Sequence, residues 1–290
     1  MHIPDGYLSP QTYGAMYAVM APLWWRAAAR VRAALPKKNL PLVAMAGAFS
    51  FVIMMFNIPI PGGTTGHAVG GALAAIVLGP WAAMVAVSTA LVIQALVFGD
   101  GGITAIAANC FTMAFIMPFS AFYIYRFIAG RSADFGLGAR PKTPSAALSS
   151  ASAQSRNHTY APSPRLSSAL HPGLSAASSN FARPKGFSAG PLRQRLGAFL
   201  AGYASIVLAA MATGLLLGLQ PLIATSAGHP LYAPYPISVA VPAMAVSHLL
   251  FFGPVEGLVT ALAVGYFARA DSPVRPAFQR VALSREGESA

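Results

Sequence analysis

Charged side chains are almost entirely excluded from two long stretches of this chain. Between Lys38 and Arg126 the only one is Asp100, and between Arg195 and Arg269 it is Glu256. All nineteen Lys and Arg residues fall into three blocks: five from Arg26 to Lys38, ten from Arg126 to Arg195 and four from Arg269 to Arg285. Segments this poor in ionised groups offer no face to water, which places them in a bilayer. Composition agrees: 9% of residues are charged and 56% apolar, against about 25% charged in a soluble domain. The net charge of +12 comes from the confined blocks and not from a basic binding face, so no nucleic-acid partner is expected.

A spanning helix needs about 20 apolar residues, since a rise of about 1.5 Å per residue then covers a hydrocarbon core of about 30 Å. With Gly and Pro marking the turns, this ruler predicts helices near 10–33, 41–58, 66–79, 81–98, 103–129, 196–219 and 235–269. The third is short, as for a helix buried among others. The expected fold class is all-α, an integral membrane bundle of seven transmembrane helices. Seven crossings that start outside put all three basic blocks on one side, as the positive-inside rule requires. The expectation is a multi-pass protein of the cytoplasmic (inner) membrane, N-terminus outside and C-terminus cytoplasmic. Residues 1–9 carry no basic region and no cleavage site follows the first apolar run, so no removable signal peptide is expected.

This divides the chain into residues 1–129 (N-terminal segment and helices 1–5), 130–195, 196–270 (helices 6 and 7) and a cytoplasmic tail, 271–290. Residues 130–195 are rich in Ser, Ala and Pro with scattered Arg, without apolar periodicity. That composition reads as a disordered basic cytoplasmic linker.

Enzymatic signatures are missing from the sequence. There is no G-x-x-x-x-G-K-[ST] phosphate loop, no H-E-x-x-H, no G-x-S-x-G, and no pair of carboxylates within one uncharged block. The chain therefore reads as a non-enzyme without its own ATPase motif. A single cysteine, Cys110, excludes an internal disulfide or a multi-cysteine metal site and reads as a small packing residue.

The polar residues left in the uncharged blocks are few: His67, Gln94, Asp100, Asn109, His248 and Glu256, with several Ser and Thr. His67 follows "GGTTG", at the outer end of the third helix in this reading, on the same side as "MHIPDGYLSP". The first two residues make a ligand set. The α-amine of Met1, the backbone nitrogen of His2 and its imidazole can hold one ion through fused five- and six-membered chelate rings. Such a planar nitrogen site favours Ni(II) or Cu(II) over Zn(II) and Mg(II). His67 would be the fourth ligand if "PDG" turns the segment into the outer mouth of the bundle. On the residues alone, a plain lead-in to helix 1 competes with this metal reading.

Four stretches carry a resemblance: "MHIPDGYLSP", "FSFVIMMFNIPIPGGTTGHAVGG", "FGDGGITAIAANCFTMAFIMP" and "YPISVAVPAMAVSHLLFFGPVEGLVTA". They resemble the substrate-specific (S) membrane component of energy-coupling-factor (ECF) transporters for nickel and cobalt, the NikM/CbiM family. The resemblance spans about residues 1–128 and 196–268. It implies seven transmembrane helices with the N-terminal segment inserted into the outer side of the bundle. It also implies an ion, Ni(II) or Co(II), bound by the Met1 amine, the His2 amide and imidazole nitrogens and His67. The partners it implies are ECF ATPase subunits, a transmembrane coupling (T) subunit and a small additional membrane subunit. The ion is cargo, and no resident cofactor is expected. The long insertion between helices 5 and 6 departs from the short connection expected of the family.

Asn109 and Gln94 are assigned to orienting the ligating imidazole or closing the pocket, with interhelical hydrogen bonds as the alternative. Asp100 reads as a turn residue or helix-5 cap, and His248 and Glu256 as packing or partner-contact residues. The competing functional class is a stand-alone metal permease, channel or membrane sensor, which uptake without partner subunits would favour.

Overall fold

The computed structural model describes residues 1–35, 39–60, 64–130 and 190–269. The expected linker and tail therefore lie, apart from their edges, outside the described residues. Helix α1 (Pro10–Ala34) starts where a sequence-level cap predicts: Ser9 is extended, its Oγ accepts from the Thr12 amide at 3.4 Å, and Pro10 occupies the first helical turn. Helices α2 (Leu40–Met54), α3 (Gly71–Leu78) and α4 (Pro80–Ile93) follow, and a π-helical turn, Gln94–Phe98, extends α4. A second π turn, Cys110–Ile116, joins α5 (Ile106–Asn109) to α6 (Met117–Ala129). Beyond the undescribed segment come α7 (Pro191–Gly218), α8 (Gln220–Ile223) and α9 (Ile237–Ser247), then a third π turn, His248–Phe252, and α10 (Gly253–Arg269).

Among the described residues, four helical segments are long and apolar enough to cross a membrane: Pro80–Phe98, Ile106–Ala129, Pro191–Ile223 and Ile237–Ala268. The others fall short for identifiable reasons. α2 has 15 residues, α3 has eight, and the last turns of the 25-residue α1 carry Arg26, Arg30 and Arg32. Large apolar side chains also face outward, Phe127 at 88% exposure and Leu222 at 76%, as a lipid-facing surface requires.

The all-α expectation needs one correction. The connection between the second and third expected helices forms an antiparallel hairpin, β1 (Ile58–Ile60) with β2 (Thr64–Gly66), and the third helix, expected from 66, begins only at Gly71 as α3. Pro59 and the β-branched Ile58, Ile60, Thr64 and Thr65 favour extended backbone over helix. A second short pair, β3 (Thr225–Ser226) and β4 (His229–Pro230), precedes α9.

Helix α7 packs against α6, α9 and α10. Its buried face is made of small residues, including Gly197, Ala198, Ala201, Gly202, Ala209, Ala210 and Gly214. Small residues let helix backbones approach closely where lipid supplies no hydrophobic drive between helices. A methyl on Gly214 would stand 2.9 Å from the Ala240 carbonyl oxygen and from Val241 Cα. Gly214→Val is therefore expected to cost about 1–3 kcal/mol through overpacking, read as a lowered unfolding temperature of the detergent-solubilised protein.

Candidate metal-binding site

The first nine residues run into the protein. Met1, His2 and Ile3 are buried, the chain turns through exposed Asp5 and Gly6 (φ +82°), and Leu8 and Ser9 are buried again. Irregular backbone in an apolar setting must find partners for its N–H and C=O groups. Here side chains and loops from distant parts of the sequence supply them. The Met1 amine donates to the Thr65 carbonyl and the Thr64 hydroxyl donates to the His2 carbonyl at 2.9 Å. Asn109 closes both groups of Ile3, its Oδ1 accepting from the amide at 2.9 Å and its Nδ2 donating to the carbonyl at 3.2 Å. Gly102 N also donates to the Ile3 carbonyl at 2.8 Å. The Ser9 amide donates to Gln220 Oε1 at 2.9 Å.

The "DGGIT" loop, 100–104, is shaped to this segment. A methyl on Gly102 would stand 2.5 Å from the Asp5 nitrogen and 2.7 Å from the Pro4 carbonyl carbon. Only a glycine lets the two backbones meet. Asp5 accepts from the Ile103 amide at 3.0 Å and from the Thr104 amide at 2.9 Å and hydroxyl at 2.5 Å. The Thr104 hydroxyl bond, with the two amide bonds, holds the Asp5 carboxyl below the usual carboxylate range. Asp5, and not Asp100, therefore ties down the loop that leads into α5.

Met1, His2 and His67 lie close together. The His2 and His67 rings stack with centroids 4.6 Å apart and planes at 26°. His67 lies in the loop between β2 and α3, fully buried, with Nδ1 3.0 Å from its neighbour's carbonyl, Ala68 O. A carbonyl can only accept, so Nδ1 carries the proton and the lone pair sits on Nε2. That Nε2 is buried without a hydrogen-bond partner. Ala68 thereby does the orienting work expected of Asn109 and Gln94. Asn109 holds Ile3 instead, and Gln94, where the first π turn begins, borders the His2 ring.

Asp100 is not a helix cap. Its Oδ1 stands 3.1 Å from His2 Nδ1, and its Oδ2 accepts from Asn57 Nδ2 at 3.3 Å. Its backbone N–H donates to the Gln94 carbonyl at 3.0 Å, so the end of the π turn fixes its place. His248 is fully buried in the third π turn, with Nδ1 2.8 Å from Met244 O and Nε2 unpartnered. It is within electrostatic reach of the Met1 amine and His67. The three π turns thus begin at or next to Gln94, Asn109 and His248, in keeping with the frequency of such turns at functional sites.

Burial pushes the Met1 amine down to about 4 from its ordinary 8.0. It likewise pushes both His2 and His67 below the usual histidine range, and mutual repulsion with the amine adds to the effect. All three groups are neutral lone-pair donors near neutral pH. Among the described residues no three His, Cys, Asp or Glu side chains form a metal cage.

Residues 2–155 and 172–274 match the family described as CbiM, cobalt uptake substrate-specific transmembrane region. The chain belongs to the CbiM family. Its relatives include the fused nickel transport protein NikMN of Rhodobacter capsulatus, 42% identical over 272 residues, 93% of this chain and 62% of that protein. The chain thus spans less than two thirds of the length of that fused relative. A cobalt transport protein CbiM of a Nostoc species is 38% identical over 128 residues, 43% of this chain and 49% of that protein. The crystal structure of a truncated transition metal transporter shares 41% identity and a TM-score of 0.70, covering 92% of this chain and 98% of that one.

Sequence reasoning missed the role of Glu256, whose carboxylate holds the backbone beside His67. Its one signal was its isolation as the sole charge in the second uncharged stretch.

The docked N-terminal segment gives two expected outcomes. Asn109→Ala leaves the buried Ile3 amide short of its acceptor, at about 1–3 kcal/mol, and is expected to speed hydrogen exchange at Ile3 and expose Met1 to aminopeptidase. The amine has a lower folded than free pKa, so docking is strongest above about pH 8 and weakens as pH falls towards about 4. Exchange at Ile3, corrected for its intrinsic pH dependence, should accelerate across that window.

Proposed function

We propose that this protein captures Ni(II) or Co(II) on the outer side of the cytoplasmic membrane as the substrate-binding component of a metal uptake transporter. The observation that carries the proposal is the convergence of the buried Met1 amine, the His2 ring and the His67 ring, whose Nε2 is buried and unpartnered. Four nitrogens would hold the ion: the Met1 amine, the deprotonated His2 amide, His2 Nδ1 and His67 Nε2. Nδ1 is the imidazole atom from which a six-membered ring closes to the His2 amide. That same atom faces Asp100 at 3.1 Å, so capture exchanges a contact with a carboxylate for a bond to the metal. A planar nitrogen set suits nickel and accepts cobalt, and nickel and cobalt transport proteins both stand among the relatives.

In this reading the helical segments make seven crossings. The short α3 is buried within the bundle, the N-terminus lies outside and the basic blocks are cytoplasmic. ATP hydrolysed by ECF ATPase subunits, transmitted by a transmembrane coupling subunit and aided by a small membrane subunit, would drive release. This chain would act as a carrier and not as an enzyme. Because the donors must be deprotonated, protonation of the His2 amide loosens the ion.

Anaerobic titration of the purified protein with Ni(II) and Co(II) tests the proposal. One equivalent of ion is expected to bind with a ligand-field band. His67→Ala, His2→Ala or a residue added before Met1 should weaken it by at least about 100-fold while the protein still inserts. Full nickel affinity in the N-terminally extended protein would refute the amine chelate.

A further inference from the structure

The loop that carries His67 is gripped on both sides by one stretch of the chain. On its N-terminal side, a methyl on Gly66 would stand 2.1 Å from Phe252 Cε2 and 2.6 Å from Ile60 Cδ1, so the Phe252 ring lies flush against the backbone before His67. On its C-terminal side, Glu256 Oε2 accepts from the Val69 amide at 2.8 Å and the Gly70 amide at 2.9 Å. Phe252 and Glu256 are four residues apart, about one helical turn, and so share a face. His67 sits between the two contacts.

Glu256 is 1% exposed, and its second oxygen, Oε1, is without a partner. Burying a carboxyl group is costly even after relaxation. A simple helix cap would be served by Ser, Thr or Asn at the loop itself. The two amides concerned stand directly before α3 and two to three residues after His67. Gly70 is in a left-handed turn (φ +74°), no side chain of the loop itself caps α3, and both N–H groups are taken up by Glu256 across the bundle.

We propose that Glu256, with Phe252, is a positioning residue for the ion site: it fixes the Val69–Gly70 backbone and so holds His67 Nε2 where the fourth nitrogen is needed. The assignment rests on the metal-capture reading of Met1, His2 and His67. It goes beyond that reading by placing a determinant of affinity on the helix formed by residues 253–269, which supplies no ligand. The same helix packs on α7 through Gly257, where an added methyl would stand 2.8 Å from the Phe199 carbonyl oxygen. The grip is therefore mounted on a rigid pair of helices.

The test uses the purified full chain with Ni(II) and Co(II) and two substitutions. Glu256→Ala removes both acceptor bonds, whereas the amide oxygen of Glu256→Gln can still take both N–H groups. Glu256→Ala is expected to lose about 10- to 100-fold in ion affinity, the usual effect of removing a group that orients a ligand, and to shift the ligand-field band at saturation. Glu256→Gln should keep the wild-type band and most of the affinity. Hydrogen exchange in ion-free protein is expected to quicken at Val69 and Gly70 in the alanine variant only. Wild-type affinity and band in Glu256→Ala, or equal losses in both variants, would overturn the assignment. If Glu256→Ala does not accumulate, Phe252→Ala removes the other half of the grip, and an unchanged band there overturns it as well. Failure of the unsubstituted protein to bind either ion refutes the metal reading, while the exchange measurement still decides whether Glu256 holds the loop.

Discussion

Everything distinctive about this molecule depends on keeping irregular backbone hydrogen-bonded inside an apolar bundle. Two such stretches meet, residues 1–9 and the loop from His67 to Gly70 that follows β2. Neither is helical, and both are buried for most of their length. Helices satisfy their own amides and need no help. These segments cannot, so side chains far away in sequence are committed to them: Asn109 to Ile3, Gln220 to Ser9, and Glu256 to Val69 and Gly70. The few polar residues of the uncharged stretches are spent mainly on main-chain groups. Few remain for the ring nitrogens, which leaves His67 Nε2 open.

That division accounts for the close approaches as well. A bonded backbone pair has no room for a side chain between its members, hence Gly102 against Pro4 and Asp5, while Gly66 leaves room for the Phe252 ring. The π turns have a related effect. Each widens a helix by one residue and redirects the next turn, so Gln94, Asn109 and His248 reach the space around the N-terminus from three different helices.

Much of the architecture was legible in the sequence because bilayer burial is a coarse constraint. The boundaries expected for the helices near 81–98 and 103–129 fall within a few residues of the elements observed, since a run of apolar residues ended by glycine has few alternatives. The start of the third helix was misplaced by five residues because apolar composition does not distinguish a short buried loop, here residues 67–70, from a helical turn. Met1 and His2 stood out as possible chelators because they are adjacent along the chain, whereas the nearness of His67 was an expectation that rested on the resemblance. The roles of Asn109, Asp100 and Glu256 were not, because a single polar residue in an apolar helix gives no sign of what it will face.

Residue order alone settles that this chain belongs with membranes, that its cations cluster in three blocks, and that its first two residues set an amine, an amide and an imidazole side by side. These are properties of composition and local bonding, which survive without knowledge of the fold. Packing in three dimensions was needed to settle that Ala68 orients His67, that Asp100 faces His2, and that Asp5 and Asn109 pin the N-terminal segment. It also brings Glu256 to the loop beside His67 across 186 positions of sequence. Such contacts arise from helix packing, in which displacements of an ångström choose the partner, and no local pattern of residues encodes them.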